Sequence, residues 1–62
     1  MTKRIDKDTW LIAISGRDNS KSASDIRDWT EKGYVIVVDK DGSELIPVKH
    51  EDGSWKLEPK KP

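Results

Sequence analysis

The most regular hydrophobic segment of the chain is Tyr-Val-Ile-Val-Val at 34–38. β-branched and aromatic residues favour extended backbone, and successive side chains of a strand point to opposite faces. Alternation therefore predicts two sets of side chains, with Tyr34, Ile36 and Val38 on one face and Val35 and Val37 on the other. Because both sets are apolar, we predict a strand at the centre of a sheet.

A second apolar segment is Thr-Trp-Leu-Ile-Ala-Ile-Ser at 9–15. As a strand it would place Trp10, Ile12 and Ile14 on one face and Leu11 and Ala13 on the other, so both faces would be apolar. A run of this length fits either a buried strand or a buried helix. Its β-branched residues and the glycine that follows, Gly16, favour a strand. The mostly charged residues before it, 1–8, are expected to form a flexible arm. Residues 16–22 are a loop by composition.

Residues 23–32 show the spacing of a helix. Ser22 or Ser24 can accept a hydrogen bond from a free N–H of the first turn, and Gly33 suits the left-handed residue that follows a last turn. The apolar face would consist of Ala23, Ile26, Trp29 and Thr30. A helix of three turns is unstable alone, so we predict that it packs on another element.

Two Asp-Gly pairs, at 41–42 and 52–53, predict tight turns, because glycine adopts positive φ at little cost and aspartate tolerates it. We predict strands over 43–51 and 54–59 around the second turn. Pro47 has no N–H to donate, so its strand cannot pair on both sides along its whole length. We therefore predict a bend at Pro47, with the part before it paired to the central strand and the part after it paired to the last strand.

These elements predict an α+β domain of order β-α-β-β-β, in which one helix packs on a curled sheet of three or four strands. The 18 residues at 16–33 are enough for a parallel crossover between the strands at 9–15 and 34–38. An antiparallel first strand, with the helix as an extended corner, is the alternative. Residues 1–62 form a single domain, and we expect 1–8 and 59–62 to be flexible.

Composition narrows the range of functions. The chain carries 12 Lys or Arg and 12 Asp or Glu, so its formal net charge is zero, whereas nonspecific nucleic-acid binding depends on a basic excess. Cysteine is absent, which removes disulfides and thiolate metal sites. The longest apolar run near the N-terminus has five residues, far short of the roughly 20 that a membrane-spanning helix needs. We expect a cytoplasmic protein that makes no membrane contact.

The acidic residues at the first Asp-Gly pair match a calcium loop only in part. Asp39, Asp41 and Ser43 occupy its first three ligand positions, but Glu44 stands where the loop needs glycine and His50 where it needs glutamate. We interpret the pairs as turns and expect no metal ligand. His50 is the only histidine, and no serine lies in a nucleophile-elbow motif. We therefore expect no catalytic residue, no cofactor and no small-molecule substrate, and hence no enzyme.

These exclusions leave a noncatalytic protein-binding module as the predicted function, of the regulatory or inhibitory kind found among small accessory proteins of phages and mobile elements. One helix covers only one face of a sheet, whereas the strands predicted at 9–15 and 34–38 carry apolar side chains on both faces. The second apolar face is therefore left for a partner. From the expected contact of Trp29 we place Ile12, Ile14, Ile36 and Val38 on the helix side. The predicted partner-binding residues are Leu11, Val35, Val37, Trp10 and Trp55. The partner is another protein or a second copy of the chain.

Nucleic-acid binding is the alternative function. Small curled sheets can present Trp or Tyr for base stacking, with Lys and Arg nearby for the phosphates. The basic residues that could serve are Arg17, Lys21, Arg27, Lys32, Lys40, Lys49 and Lys56. Acidic residues alternate with them along nearly the whole chain, which makes this alternative the weaker one.

Overall fold

In the computed structural model, which describes residues 2–60, a four-stranded mixed sheet carries two helices on one face. The elements in chain order are β1 (Lys3–Asp6), α1 (Lys7–Ser15), α2 (Lys21–Lys32), β2 (Val35–Val38), β3 (Glu44–Lys49) and β4 (Trp55–Pro59). The strands lie side by side in chain order, with β1 parallel to β2 and the other neighbours antiparallel. The predicted α+β class is confirmed, whereas the single helix and the curled sheet are wrong.

Residues 9–15 form most of helix α1, so the strand predicted there is wrong. The Asp6 side chain accepts a hydrogen bond from the Asp8 N–H at 3.1 Å and begins the helix. Gly16 ends it with φ of 79°, and its N–H donates to the Ala13 carbonyl. Trp10 and Ala13, three residues apart, share the buried side. The apolar residues of 9–15 show neither a helical nor a strand period. Asp6 and Gly16 at the two ends therefore favour the helix.

Most of the arm predicted at 1–8 lies in regular secondary structure. Lys3–Asp6 forms β1, an edge strand that pairs in parallel with β2 and sets Ile5 beside Val37. A parallel crossover therefore exists, but it leaves from β1 and contains two helices. At the other end Pro59 belongs to β4, and the Lys60 N–H donates to the Glu44 carbonyl at 3.0 Å. The remaining residues of both predicted flexible ends, 1 and 61–62, lie outside the described part of the chain.

Helix α2 confirms the predicted helix and begins two residues earlier than expected. Ser20, rather than Ser22 or Ser24, is the capping residue, and its hydroxyl accepts from the Ala23 N–H at 3.2 Å. Gly33 has φ of 79° and ends the helix as predicted. The buried residues of α2 are Ala23, Ile26 and Thr30.

Pro47 limits the pairing of β3 to β2. Those two strands pair only at Val37 with Leu45 and at Val38 with Glu44, whereas β3 pairs with β4 from Leu45 to Lys49. Backbone hydrogen bonds at the two ends of the β3–β4 ladder join Glu44 to Lys60 and His50 to Ser54. Even-numbered positions of this segment therefore bond toward β4. Position 47 therefore points its nitrogen toward β2, where proline has no hydrogen to donate. The prediction that β3 is not paired on both sides along its length is confirmed, although β4 also pairs with the part before Pro47.

The core lies between the helices and one face of the sheet. Its buried residues are Ile5, Trp10, Ala13, Ala23, Ile26, Val35 and Val37. Trp10 is 1% exposed, and its indole N–H donates to the Thr30 hydroxyl at 3.2 Å. That hydroxyl donates in turn to the Ile26 carbonyl at 2.7 Å. Every buried side-chain nitrogen or oxygen among residues 2–60 has such a partner.

The face assignment predicted for the central strand is inverted. Val35 and Val37 point to the helices and are buried, whereas Ile36 and Val38, placed on the helix side by the sequence argument, point away from them. Lys49 of β3 supports the observed phase, since its Nζ lies 3.6 Å from the Glu31 Oε1 of α2. The predicted phase assumes that Trp29 packs on the sheet, but Trp29 is only half-buried, whereas Trp10 fills the core.

Candidate docking surface

The sheet face opposite the helices carries apolar side chains on its two inner strands. Alternation along the strands places Tyr34, Ile36, Val38, Ile46 and Val48 there. Tyr34 is 42% exposed and Ile46 is 40% exposed, while the other three are half-buried. We call this side of the sheet, together with the charged residues on the same side, the open face.

Pairing between the strands arranges the open face in three rows that run across the sheet. The upper row holds Asp6, Val38, Glu44 and Lys60. Arg4 pairs with Ile36, and Ile46 pairs with Glu58; these two pairs form the middle row when the β2–β3 register is continued past Val37 and Leu45. The lower row holds Tyr34, Val48 and Lys56 when the same register is continued. The apolar residues therefore form a strip along β2 and β3, and charged residues stand along both edges.

An ion pair crosses the apolar strip. Arg4 on β1 donates to Glu44 on β3 at 2.7 Å, although β2 lies between those two strands. The Lys60 Nζ lies 3.5 Å from the other oxygen of Glu44. The aliphatic stem of the arginine can therefore shield Ile36 and Val38 in part, which agrees with their half-buried state.

The structure does not bring the five predicted partner-binding residues together. Trp10, Val35 and Val37 lie in the core, where no partner can reach them. Trp55 is half-buried on the helix side of β4, with the Lys49 Nζ 5.9 Å from its ring centroid. Leu11 is exposed on α1.

Leu11 belongs to a second, smaller apolar surface. Its neighbour Ile12 is 51% exposed, and the two residues are adjacent on the outer side of α1. Isolated apolar side chains of this kind are common on protein surfaces. The five apolar residues of the open face form a larger and contiguous group that the sequence argument missed, although the alternation from Tyr34 to Val38 already contained the signal.

The two Asp-Gly pairs form turns with the same pattern of hydrogen bonds, as predicted. In the first turn the Asp39 N–H donates to the Ser43 carbonyl at 2.9 Å, and the Gly42 N–H donates to the Asp39 carbonyl at 2.9 Å. The Ser43 N–H donates to the Asp41 carboxylate at 2.9 Å, and this bond is the main cause that lowers the pKa of Asp41. That carboxylate therefore stabilises the turn itself.

The second turn repeats this arrangement around Asp52. Its carboxylate accepts from the Ser54 hydroxyl at 2.6 Å and from the Ser54 N–H at 2.9 Å, and these bonds, the hydroxyl first, lower the pKa of Asp52. Across the described chain, no group of three or more His, Cys, Asp or Glu side chains is arranged to hold a metal ion.

His50 lies at an open depression beside the second turn. The residues that line it are Val48, Lys49, His50, Glu51, Asp52 and Glu58. The depression is widely open to solvent, so it does not exclude water from a reacting group in the way that most ligand pockets do. In residues 2–60, neither helix has the length and apolar run needed to cross a bilayer.

The open face thus places five apolar side chains, two of them exposed, beside charged groups of both signs. Compared with protein-family models, with curated proteins and with solved structures, the chain gives no significant match.

Proposed function

We propose that the chain is a small noncatalytic protein-binding module that docks through its open face. The observation that carries this proposal is the apolar strip on β2 and β3 with charges along both edges. Protein interfaces commonly have this layout, with an apolar centre that loses water on binding and a polar rim that stays hydrated. The partner would present an apolar centre and charges of both signs at its margin.

The size of the open face favours a weak or regulated interaction. Strands about 4.8 Å apart with a rise of about 3.3 Å per residue give four strands of five residues an area of roughly 300 Å². A standard stable interface buries about 800 Å² on each partner. An accessory role, in which the module regulates or inhibits a larger protein by reversible docking, agrees with this size.

Nucleic-acid binding receives less support. The open face presents one aromatic ring, Tyr34, whereas Trp10 is buried and Trp29 packs against the core with the Lys3 Nζ 5.2 Å from its ring centroid. Its basic residues are Arg4, Lys56 and Lys60, and its acidic residues are Asp6, Glu44 and Glu58. Equal numbers of both charges give little attraction for a phosphate backbone.

A matched pair of variants tests whether docking uses the open face. Ile46→Glu places a charge in the apolar strip, and Ile12→Glu makes the same change at a more exposed position on α1. The immobilised wild-type chain and both variants are incubated with cell lysate that contains added labelled copies of the chain. We expect Ile46→Glu to capture at least about tenfold less protein, or at least about tenfold fewer labelled copies, than the wild type. Ile12→Glu should capture as much as the wild type.

The proposal is overturned if the wild type captures neither, or if Ile12→Glu rather than Ile46→Glu abolishes capture. The second result would move the docking surface to Leu11 and Ile12. Capture of oligonucleotides that weakens steeply with salt would support the nucleic-acid alternative instead.

A further inference from the structure

We infer that the open face docks on the open face of a second copy of this chain, with the strands of the two sheets aligned and Arg4 beside the partner's Glu58. This inference rests on the proposed function and names a second copy of the chain, in place of a larger protein, as the partner. It follows from the positions of the charges on the open face, which are complementary to themselves in one orientation and not in the other.

The favoured orientation has a twofold axis between the two sheets, parallel to the strands. Such an axis sets β1 opposite the partner's β4 and β2 opposite its β3, because it reverses the strand order and keeps the rows. In the middle row Arg4 then faces the partner's Glu58. In the upper row Asp6 faces the partner's Lys60. Symmetry repeats each contact. The Arg4–Glu58 contact therefore supplies two pairs of opposite charges, whereas the Asp6 carboxylate already accepts from the Asp8 N–H at the start of α1.

A twofold axis across the strands gives the opposite result. It sets β1 on β1 and β4 on β4, so that Arg4 faces the partner's Arg4 and Glu58 faces the partner's Glu58. Lys60 would then face the partner's Lys56. Like charges at these positions disfavour this second orientation. Attraction in the first orientation and repulsion in the second together select the first.

The apolar strip also matches itself in the favoured orientation. Ile36 faces the partner's Ile46, and Tyr34 faces the partner's Val48, each contact occurring twice. Sheets that pack face to face lie about 10 Å apart and cross at about 30°, a separation that Arg, Glu and Lys side chains at the edges can span. The formal net charge of zero adds no overall repulsion between copies.

One contact in this arrangement is unfavourable. Val38 faces the partner's Glu44, a carboxylate that its own chain already pairs with Arg4 and Lys60. These pairs neutralise the carboxylate before docking and reduce the cost of placing it against an apolar residue. With the small area of the face, this contact predicts a dimer that dissociates in the micromolar to millimolar range rather than a permanent one.

Two charge-reversal variants test the orientation by sedimentation equilibrium of the purified chain from about 10 μM to about 1 mM. Glu58→Lys alone and Arg4→Glu alone would each create two repulsive pairs, so each should weaken dimerisation by at least about tenfold. An equimolar mixture of the two restores both pairs in a mixed dimer, because each altered residue then faces its opposite. We expect the mixture to associate more tightly than either variant alone, although the Arg4→Glu copy has lost its own Arg4–Glu44 pair. Glu51→Lys in the exposed β3–β4 turn is the control and should leave association unchanged.

Each other outcome overturns the inference. A wild-type chain that stays monomeric to about 1 mM excludes the second copy as partner, and the capture experiment with Ile46→Glu then decides the proposed function separately. If neither reversal weakens a dimer that Ile46→Glu abolishes, docking through the open face stands and the orientation is wrong. A mixture that stays as weak as the single variants contradicts the Arg4–Glu58 contact, and because the readout is recovery on mixing, loss of folding in one variant cannot imitate success.

Discussion

Replacing Trp10 by alanine is expected to leave the chain largely unfolded at 25 °C. Trp10 is 1% exposed, lies where both helices meet the sheet, and its indole N–H donates to the Thr30 hydroxyl. Truncation of a buried tryptophan costs about 3–5 kcal/mol, and a core of this size supplies only about 3–5 kcal/mol of net stability. The cost therefore equals the whole stability, and far-UV circular dichroism with urea titration should show no cooperative transition.

Trp55→Ala provides the matched comparison, since the residue removed is the same but its ring is only half-buried. We expect this variant to keep a cooperative transition with a lower midpoint, because less apolar area returns to water. A Trp10→Ala variant that unfolds cooperatively within about 1 kcal/mol of the wild type would mean that the core described above is not the stabilising one.

The second large effect is expected at Val37, when Val37→Lys is compared with Val38→Lys. Val37 is 0% exposed in the centre of the core, and an ammonium group there would be buried without a partner. Val38, the next residue, points to the open face in the same row as Asp6 and Glu44, both acidic. We expect Val37→Lys to abolish folding and Val38→Lys to change the free energy of unfolding by less than about 1 kcal/mol.

Urea titration followed by tryptophan fluorescence measures both variants. Their order decides which side of β2 faces the helices, because the two substitutions are identical and the positions are adjacent. A folded Val37→Lys beside an unfolded Val38→Lys would support the face assignment made from the sequence and contradict the one in the structure.

Those parts of the fold that depend on a local rule could be predicted from the sequence. Gly33 ends α2 as predicted, the two Asp-Gly pairs form the two turns, and Pro47 interrupts the pairing of β3 to β2. Each of these residues acts through its own backbone geometry or its missing N–H. No long-range contact is needed to predict their effects.

The parts that depend on tertiary contacts were predicted wrongly. Residues 9–15 are apolar without a period, and their helix is fixed by Asp6 and Gly16 at the ends and by the burial of Trp10. Once that segment became a helix, β1 had to come from the charged residues before it, where Ile5 supplies one buried side chain. No local pattern in four residues with one apolar side chain distinguishes a strand from an arm.

The sequence predicts an uncovered apolar face of the sheet but does not decide which residues lie on it. The helices do leave one face of the described sheet uncovered, as expected from apolar residues on both sides of the central strand. The phase of that strand depends on which tryptophan fills the core, and a sequence with three tryptophans does not decide among them. As a result Val35 and Val37 were assigned to a surface that Ile36 and Val38 occupy.

The most direct test of the open face as the surface on which two copies of the chain dock is the NMR spectrum of the isoleucine δ1-methyl groups over a dilution series. The chain has six isoleucines, which lie in the core, on the outside of α1 and on the open face. We predict that the methyl signals of Ile36 and Ile46 shift with concentration, whereas that of Ile12, although more exposed, does not. Signals of Ile36 and Ile46 that stay fixed, or a shift confined to Ile12, would contradict the account.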